Sequence, residues 1–321
     1  MRDKKVVVFG SIGIDLVTTV KDFPLPGQTI PGTSFKQVPG GKGANQALVC
    51  ASLDYTNVDN TVHVFMAGAV GLDGFAQAAC SGLESYDVNM AFVKKSGTIT
   101  GVATIFVAEN GQNSIAVVPG ANALAEQHWI ADYVLDNNIV LMQHECPIAE
   151  NKLLAKRAKQ NNALTILNAA PAYDLQKEDL EHVDILIVNE SEALHLLSQH
   201  NLQTDLTIEA VNVSSAKALH EYFGCEVLLT LGSKGAVYYG NKLESNAQKE
   251  LMVSAPKVEV VDTTGAGDSF IGAFVYGLAT NNSIGNSLKL GVAAGSLACT
   301  QEGAQNGLVY KEVLELSKSL E

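Results

Sequence analysis

Short apolar runs alternate with amphipathic stretches along most of the chain. Six runs of four to six residues, bounded by polar or turn residues, are typical of buried strands: 6–9, 62–67, 139–143, 164–168, 185–188 and 227–230. Apolar residues at helical spacing predict helices over 43–53, 74–83, 151–160, 210–223, 263–279, 284–300 and 311–320. This alternation predicts an α/β fold in which a mostly parallel central sheet is covered by helices on both faces.

Two regions depart from this pattern. Residues 16–20 and 29–38 are half-polar and interrupted by proline and glycine, and residues 98–108 and 114–118 flank a hairpin signal at Glu109-Asn-Gly111. Both pairs are expected to form antiparallel strands outside the main sheet and to meet as a small β-lid. The chain is therefore expected to be one domain, 1–321, with a discontinuous lid over approximately 16–38 and 98–119. An exposed lid face would need a partner, which favours a homodimer through the lid.

Composition narrows the class of protein. The 321 residues are 47% hydrophobic and 17% charged, and the net charge of −13 without a basic cluster argues against a nucleic-acid partner. The apolar runs are too short to cross a membrane or to act as a secretory signal, so no membrane partner is expected. The five cysteines are scattered and never spaced as CxxC, which favours a reducing, cytoplasmic location.

The segment Asp262-Thr-Thr-Gly-Ala-Gly-Asp-Ser-Phe270 carries the strongest chemical signal. Gly265, Ala266 and Gly267 precede a helical pattern, which predicts free backbone N–H groups and a helix N-terminus at one point. Asp268 follows in the first turn. An anion cradle beside a carboxylate suits phosphoryl transfer to a hydroxyl, because the cradle stabilises negative charge and the carboxylate accepts the proton. Taken alone, the segment is equally an ordinary helix start.

Two further segments could bind a polyhydroxylated ligand. Gly40-Gly-Lys-Gly-Ala-Asn-Gln-Ala47 opens a helix, and its glycines permit close contact with a ligand, although the order of residues is not that of a phosphate-binding P-loop. Asp15 lies near the carboxyl end of the first strand, where ligands bind in parallel sheets. Simple turns are the alternative interpretation of both.

Two segments could contact a nucleotide. Asn189-Glu-Ser-Glu192 follows a strand and opens a helix, where carboxylates could hold Mg2+ directly or through water. Acidic residues also favour first helical turns for purely structural reasons. Thr230-Leu-Gly-Ser-Lys-Gly235 could offer backbone to phosphate and ribose, or could be a simple turn.

Together these segments resemble the PfkB carbohydrate kinase family, particularly its ribokinase-like members. The likeness is collinear and covers essentially the whole chain. GGKGANQA and DTTGAGDSF look like the two family signatures, and Asn189–Glu192 matches the family's NxxE motif. Residues 142–147 (MQHECP) and 168–172 (NAAPA) resemble further segments of these members. The resemblance implies a three-layer ribokinase-like sandwich with a small β-sheet lid.

The resemblance also implies roles for individual residues. Asp268 would be the catalytic base, and Gly265, Ala266 and Gly267 the anion hole. The sugar site would be lined by Asp15, Gly41, Lys42, Asn45, Glu145 and Asp268. The nucleotide side would be formed by Asn189, Glu192, Thr230, Gly232 and Gly235, with Glu192 holding Mg2+ through water. A monovalent-cation site, usually for K+, would involve Asp262, Thr264, Ala298, Gln301 and Gly303.

The activity implied is ATP-dependent phosphorylation of D-ribose at the 5-hydroxyl, giving ribose 5-phosphate and ADP. Two positions depart from the family pattern: Gly13 stands where an asparagine often contacts ribose, and Gly307 where a serine completes the cation site in some members. Alternatives are a kinase of the same family for fructose, deoxyribose or a nucleoside, and an inactive metabolite-binding regulator. A dehydrogenase is disfavoured, because Gly10-Ser-Ile-Gly-Ile-Asp15 is not a GxGxxG fingerprint.

Overall fold

The computed structural model describes residues 4–57, 62–203, 206–241 and 249–321. Its strands are β1 (Lys4–Phe9), β2 (Gly13–Val20), β3 (Gly32–Gly40), β4 (Val62–Val70), β5 (Asn89–Lys95), β6 (Gly101–Ala108), β7 (Asn113–Val118), β8 (Ile139–Gln143), β9 (Leu164–Asn168), β10 (Ile185–Asn189), β11 (Glu226–Thr230), β12 (Ala236–Tyr239) and β13 (Glu250–Val253). Its α-helices are α1 (Lys42–Tyr55), α2 (Phe75–Ser85), α3 (Ile148–Gln160), α4 (Glu190–Gln199), α5 (Val213–Phe223), α6 (Ala266–Ala279), α7 (Ile284–Ala298) and α8 (Tyr310–Lys318).

The main sheet has nine strands in the order β13-β12-β11-β10-β9-β8-β1-β4-β5. Every pairing from β11 to β5 is parallel, whereas β12 pairs antiparallel with β11 and with β13. Parallel strands end at the same edge of a sheet, so the loops that follow β1, β8, β9 and β10 meet there. The predicted, mostly parallel central sheet is confirmed.

Helices cover both faces of this sheet, and β1 shows why. Val6 and Val8 belong to one apolar cluster, and Val7 and Phe9 to the other. The first cluster includes side chains of α1, α2, α6, α7 and α8, and the second includes side chains of α3, α4 and α5. A strand buried on both faces lacks the alternation of an exposed strand, which explains its continuous apolar run. The three-layer arrangement is therefore confirmed.

A separate sheet of four strands, here called the small sheet, has the order β3-β2-β6-β7. β2 pairs antiparallel with β3, and β6 with β7, where Val107 lies opposite Asn113 across the predicted hairpin. The two halves meet through a parallel pairing of β2 with β6. The predicted small sheet is confirmed, with β2 beginning three residues earlier than predicted, at Gly13. Its action as a lid, and its place within one domain, remain predictions.

Three strands and one helix start differ from the sequence prediction. β5, β12 and β13 were not predicted; β5 is mostly exposed or half-buried, and its apolar run at 90–93 is only four residues long. The helix predicted from residue 210 begins at Val213, because the Asn212 side chain accepts a hydrogen bond from the N–H of Ser214 and caps the helix. In the part of the chain that the structure describes, no helix has the length and apolarity needed to cross a bilayer.

Candidate active site

A large cavity of about 790 Å³ opens between the carboxyl ends of the main-sheet strands and the small sheet. It collects every residue predicted for the sugar site. Asp15 reaches it from β2, Lys42 and Asn45 from α1, Glu145 from the loop after β8, and Asp268 from α6. An apolar part of the remaining wall belongs to the small sheet and the residue after it: Val102, Ala103, Ile105, Ile115, Val117, Val118 and Pro119.

A smaller cavity of about 160 Å³ lies on the other side of Asp268. Asn189, Glu192 and Thr230 line it, as does Gly267. Lys42, Gly265 and Asp268 line both cavities. The carboxylate of Asp268 therefore stands at the boundary between the predicted sugar side and the predicted phosphate side.

Hydrogen bonds hold both oxygens of the Asp268 carboxylate. Asn45 Nδ2 donates to Oδ2 at 2.9 Å, and Gln46 Nε2 donates to Oδ1 at 2.9 Å. Burial raises the pKa of the Asp268 carboxyl, while the charge of Lys42 and the two amide donors act to lower it; the net direction is upward. A carboxylate whose pKa is raised is a stronger base, which suits proton abstraction from a hydroxyl.

Backbone geometry at the start of α6 agrees with an anion site. Gly265 has φ of +75°, and a Cβ there would lie 2.6 Å from Ala304 Cα, so the fold itself requires glycine. A Cβ at Gly267 would meet no atom of the described chain within 4 Å, so the chain leaves its solvent-facing side open to a ligand. The N–H of Ala266 already donates to Thr263 O at 3.2 Å, which makes it the least available of the three predicted donors.

Glu145 is fixed by two donors from different segments. Its Oε2 accepts hydrogen bonds from Ser11 Oγ at 2.5 Å and from the backbone N–H of Lys42 at 3.1 Å. These contacts join the loop after β1, the start of α1 and the loop after β8. Glu145 thus presents a positioned carboxylate to the large cavity.

Asp15 and Lys42 provide opposite charges in the same cavity. Burial, together with the nearby charges of Glu145 and Asp268, raises the pKa of Asp15 to about 6. Burial disfavours the charge of Lys42, but Asp268, Glu145, Glu192 and Asp15 more than offset this, so the pKa of Lys42 is raised. Lys42 therefore remains a cation among four carboxyl groups.

Asn189 and Glu192 form a reciprocal cap at the start of α4. The Asn189 backbone N–H donates to Glu192 Oε2 at 2.9 Å, Asn189 Nδ2 donates to Oε1 at 3.1 Å, and the Glu192 N–H donates back to Asn189 Oδ1 at 2.9 Å. The structural interpretation, in which acidic residues stabilise the first turn of a helix, is thus correct. Both residues nevertheless face the smaller cavity. Because Glu192's oxygens already accept hydrogen bonds, contact with a cation through water suits them better than full direct coordination.

The three residues predicted for the nucleotide at the end of β11 and beyond it do not lie together in the structure. Thr230 lines the smaller cavity, whereas Gly232 and Gly235 occupy a tight turn outside its lining. Gly232 has φ of +53° and Gly235 has φ of +102°, and a Cβ at Gly235 would lie 1.9 Å from Val253 O. The turn between β11 and β12 therefore explains Gly235 without a ligand.

The residues predicted for a monovalent cation lie in the loop before α6, at the end of α7 and in the loop after α7, and Asp262 joins the two loops. Its Oδ1 accepts from Thr264 N at 2.9 Å and Thr264 Oγ1 at 2.7 Å, and its Oδ2 accepts from Gly303 N at 2.9 Å. Burial opposes ionisation, but these hydrogen bonds outweigh it and lower the pKa of Asp262, so the group stays anionic. Ala298 O accepts from Gln301 N at 3.1 Å and keeps a second lone pair available.

Steric contacts explain both departures from the family pattern. A Cβ at Gly13 would lie 2.8 Å from the backbone oxygen of Gly101, because β2 and β6 approach closely there. A Cβ at Gly307 would lie 1.8 Å from the hydroxyl of Tyr86. In this fold, therefore, neither position accepts a larger residue without a shift of its neighbour.

Three polar residues that support the site were not singled out from the sequence. Gln46 holds Asp268, Ser11 holds Glu145, and Gln305 Nε2 donates to Asn45 Oδ1 at 3.0 Å. Gln46 lies inside the quoted GGKGANQA segment, so its place next to Asn45 was an available signal. Ser11 lies inside the quoted Gly10–Asp15 segment, but nothing in the sequence connects Ser11 or Gln305 with its partner, 134 or 260 positions away.

A half-buried carboxylate between two cavities, with a lysine and a glycine-rich helix N-terminus beside it, is the arrangement that phosphoryl transfer to a hydroxyl requires. The chain belongs to the PfkB carbohydrate kinase family: the model described as "pfkB family carbohydrate kinase" matches residues 3–310. The resemblance inferred from the motifs is confirmed.

Individual relatives agree with this family. A ribokinase from Lactococcus lactis subsp. lactis is 36% identical over 324 residues, covering 99% of this chain and 98% of that protein. A deoxyribokinase from Salmonella typhi is 31% identical over 308 residues, covering 94% of each. The structure of Arabidopsis thaliana ribokinase complexed with ribose and ATP has a TM-score of 0.83 at 30% identity, covering 98% of this chain and 99% of that chain.

Proposed function

We propose that the protein is a ribokinase, which transfers the γ-phosphoryl group of ATP to the 5-hydroxyl of D-ribose and releases ribose 5-phosphate and ADP. The observation that carries this proposal is the position of Asp268 at the boundary of the two cavities. Relatives named ribokinase cover nearly the whole chain, and a ribokinase of the same fold binds ribose and ATP.

In this mechanism Asp268 accepts the proton of the hydroxyl as its oxygen attacks the γ-phosphorus. The bond from that phosphorus to the bridging oxygen of ADP breaks as the new bond forms. The N-terminus of α6, with Gly265, Ala266 and Gly267, stabilises the negative charge on the transferred group. Lys42 lines both cavities and adds a positive charge near the reacting oxygens.

The sugar is held in the large cavity, with its hydroxyls toward the polar wall. Asp15 and Glu145 accept hydrogen bonds from hydroxyls, and Asn45 can donate or accept. The backbone at Gly41 lets the sugar approach closely; its φ of +93° is one that glycine adopts readily. The small sheet acts as the lid and covers the opposite side with apolar side chains, which limits hydrolysis of ATP by water.

The nucleotide lies on the side of the smaller cavity, where Asn189, Glu192 and Thr230 meet. The turn at Gly232 and Gly235 offers backbone next to it. Glu192 and Asn189 are the residues that would hold Mg2+, through water, and Mg2+ supplies neutralisation of the phosphate charge when bound. The capped geometry of Glu192 fits this indirect role.

A K+ site beside the anion cradle completes the proposal. Asp262, Thr264, Ala298, Gln301 and Gly303 would hold the ion, several of them through backbone oxygens. Asp262 fits this role because its lowered pKa keeps it anionic and because it ties the two loops together. A bound K+ would add a fixed positive charge near the cradle.

A panel of acceptors tests the function. D-ribose, 2-deoxyribose, fructose and a nucleoside are each supplied with ATP and Mg2+, with and without K+, and release of ADP is followed. The largest kcat/KM is expected for D-ribose, with a further increase on addition of K+. A larger kcat/KM for another acceptor would replace ribose as the substrate, and binding of a sugar without turnover of any acceptor would identify an inactive regulator.

The homodimer is proposed on the exposed apolar surface of the small sheet. Phe35 on β3 is 64% exposed and lies on the face of the small sheet opposite to Asp15, and every residue of β7 is exposed. Both strands are edges of this sheet, and exposed edges favour association. Light scattering at several protein concentrations should give twice the chain mass, and Phe35→Lys should shift the equilibrium toward the monomer. A mass of one chain at all concentrations would contradict the proposal.

A cytoplasmic location is proposed from the scattered, unpatterned cysteines.

A further inference from the structure

Behind Asp268 lies a chain of buried amide side chains that the reaction itself does not use. Gln46 Nε2 donates to Asp268 Oδ1 at 2.9 Å and to Asn168 Oδ1 at 3.1 Å. Gln143 Nε2 donates to Gln46 Oε1 at 2.7 Å. Gln46 and Gln143 are fully buried, and Asn168 is 5% exposed. The three amides come from α1, β8 and β9, so hydrogen bonds connect the carboxylate on α6 to three other elements.

The contacts of Gln143 indicate that these amide side chains position Asp268 and do not simply stabilise the fold. Its Oε1 is buried and has no hydrogen-bond partner in the described part of the chain. It lies so close to Gly10 that a Cβ there would be 2.0 Å away. A buried acceptor without a partner is unfavourable. Gln143 thus keeps its amide nitrogen toward Gln46 although its oxygen stays unsatisfied.

We propose that Gln46 is a positioning residue for the catalytic base, oriented by Gln143 and Asn168. With both ends of its amide engaged, Gln46 has one orientation, in which an N–H group faces Asp268 Oδ1. This contact fixes the plane of the carboxylate and leaves Oδ2 on the side of Asn45, toward the large cavity. This inference depends on the proposed phosphoryl transfer only where it is tested by enzyme kinetics.

The charged groups around Asp268 determine how its pKa should change when the amide of Gln46 is removed. Lys42 from α1 favours the ionised carboxylate, whereas Glu145, Glu192 and Asp15 disfavour it. The amide of Gln46 acts with Lys42, because a donor stabilises the ionised form. Without that donor the balance shifts toward the protonated form, so the pKa of Asp268 rises.

The test is Gln46→Met, which keeps the length of the side chain and removes the donor. We expect kcat to fall by about tenfold, with a smaller change in KM for ribose. The acidic limb of the kcat/KM profile should move to higher pH by roughly one unit. Gln143→Met should move the limb in the same direction by less, and it serves as the second variant if Gln46→Met does not fold.

A matched control separates positioning from stability. Asn138 is a buried amide at the other end of β8, where it accepts from Lys5 N and donates to Val134 O. Asn138→Ala should lower the melting temperature and leave the acidic limb in place. An unmoved limb in both Gln46→Met and Gln143→Met, with activity lost only in proportion to folded protein, would overturn the proposal.

A readout without turnover keeps the inference independent of the acceptor. The Asp268 carboxyl carbon can be titrated by ¹³C NMR in protein labelled at aspartate, with Asp268→Asn used only to assign the signal. Its pKa should be higher in Gln46→Met than in the wild type. If the wild type phosphorylates no acceptor, the proposed function fails, and this titration still supports or overturns the role of Gln46.

Discussion

Asn45 donates a hydrogen bond of 2.9 Å to Asp268, although the two residues lie 223 positions apart in the chain. Asn45 is in the first turn of α1, and Asp268 in the first turn of α6. The contact joins the two signature segments, GGKGANQA and DTTGAGDSF. It therefore connects the residues proposed to hold the sugar with the residue proposed to remove its proton.

Asp268→Asn should lower kcat by about 10²–10⁴-fold, because general-base catalysis contributes that much. KM for ribose should change less, since Asp15 and Glu145 still hold the sugar. Release of ADP in a coupled assay measures both constants. Asp22→Asn, at an exposed position of the chain, is the matched control and should retain wild-type activity. A near-native kcat in Asp268→Asn would rule out its role as the base.

Asp15→Asn should stabilise the free protein while weakening sugar binding. The pKa of Asp15 is about 6 in the folded protein, against an ordinary value of 3.8. The folded state therefore binds more protons between these values, and stability falls as pH rises through this range. Above pH 6 the variant should gain on the order of 1 kcal/mol, because one unit of pKa shift corresponds to about 1.4 kcal/mol and solvent screens part of it.

Chemical denaturation between pH 4 and 8 measures this effect on Asp15. The free energy of unfolding of the variant should depend less steeply on pH between 4 and 6 than that of the wild type. Equal slopes, with no gain in stability at pH 7, would show that the folded protein does not disfavour the charge of Asp15.

Ser11→Ala should raise KM for ribose by roughly three- to tenfold, because a hydrogen bond to a charged group is lost. The Lys42 N–H still holds Glu145 Oε2 at 3.1 Å, so the carboxylate should be loosened and not displaced. Steady-state kinetics at saturating ATP give the value. Ser81→Ala removes a hydroxyl from the exposed face of α2 and should leave KM unchanged. An unchanged KM in Ser11→Ala would mean that Glu145 does not contact the sugar or needs no support.

Gly13→Asn should not improve ribose binding in this protein, although an asparagine often occupies this position in the family. Its Cβ would lie 2.8 Å from the Gly101 carbonyl oxygen, and a backbone oxygen cannot move without disturbing the pairing of β2 with β6. We expect a loss of about 1–3 kcal/mol of stability and no decrease in KM for ribose. Thermal unfolding and kinetics measure the two effects.

Gly74→Asn is the control for that substitution. Gly74 precedes α2 with φ of −69°, which any residue adopts, and its Cβ would meet nothing within 4 Å. Its melting temperature should equal or exceed that of the wild type. A stable Gly13→Asn variant with a lower KM would show that β2 and β6 separate easily enough to admit the side chain.

The sequence by itself determined the central strands, most helices and the segment proposed to be catalytic. Periodicity is local, so buried strands such as β8 and β9 were visible without the fold, as was the helix predicted over 263–279, which begins at Ala266. β5, β12 and β13 were not visible, because their apolar runs are at most four residues long and periodicity alone does not identify runs that short as strands. Motifs also named Asp268, Asn45 and Glu145 as members of one site.

Only the tertiary structure decided how those members support one another. Gln46 meets Asp268 across 222 positions, and Ser11 meets Glu145 across 134. The tertiary structure also places Asp268 between two cavities and brings Gly13 against Gly101. Such contacts depend on how helices and strands pack, which involves atoms far apart in the chain. Local patterns therefore identify the residues of the site, whereas packing fixes their hydrogen bonds, pKa values and tolerance to substitution.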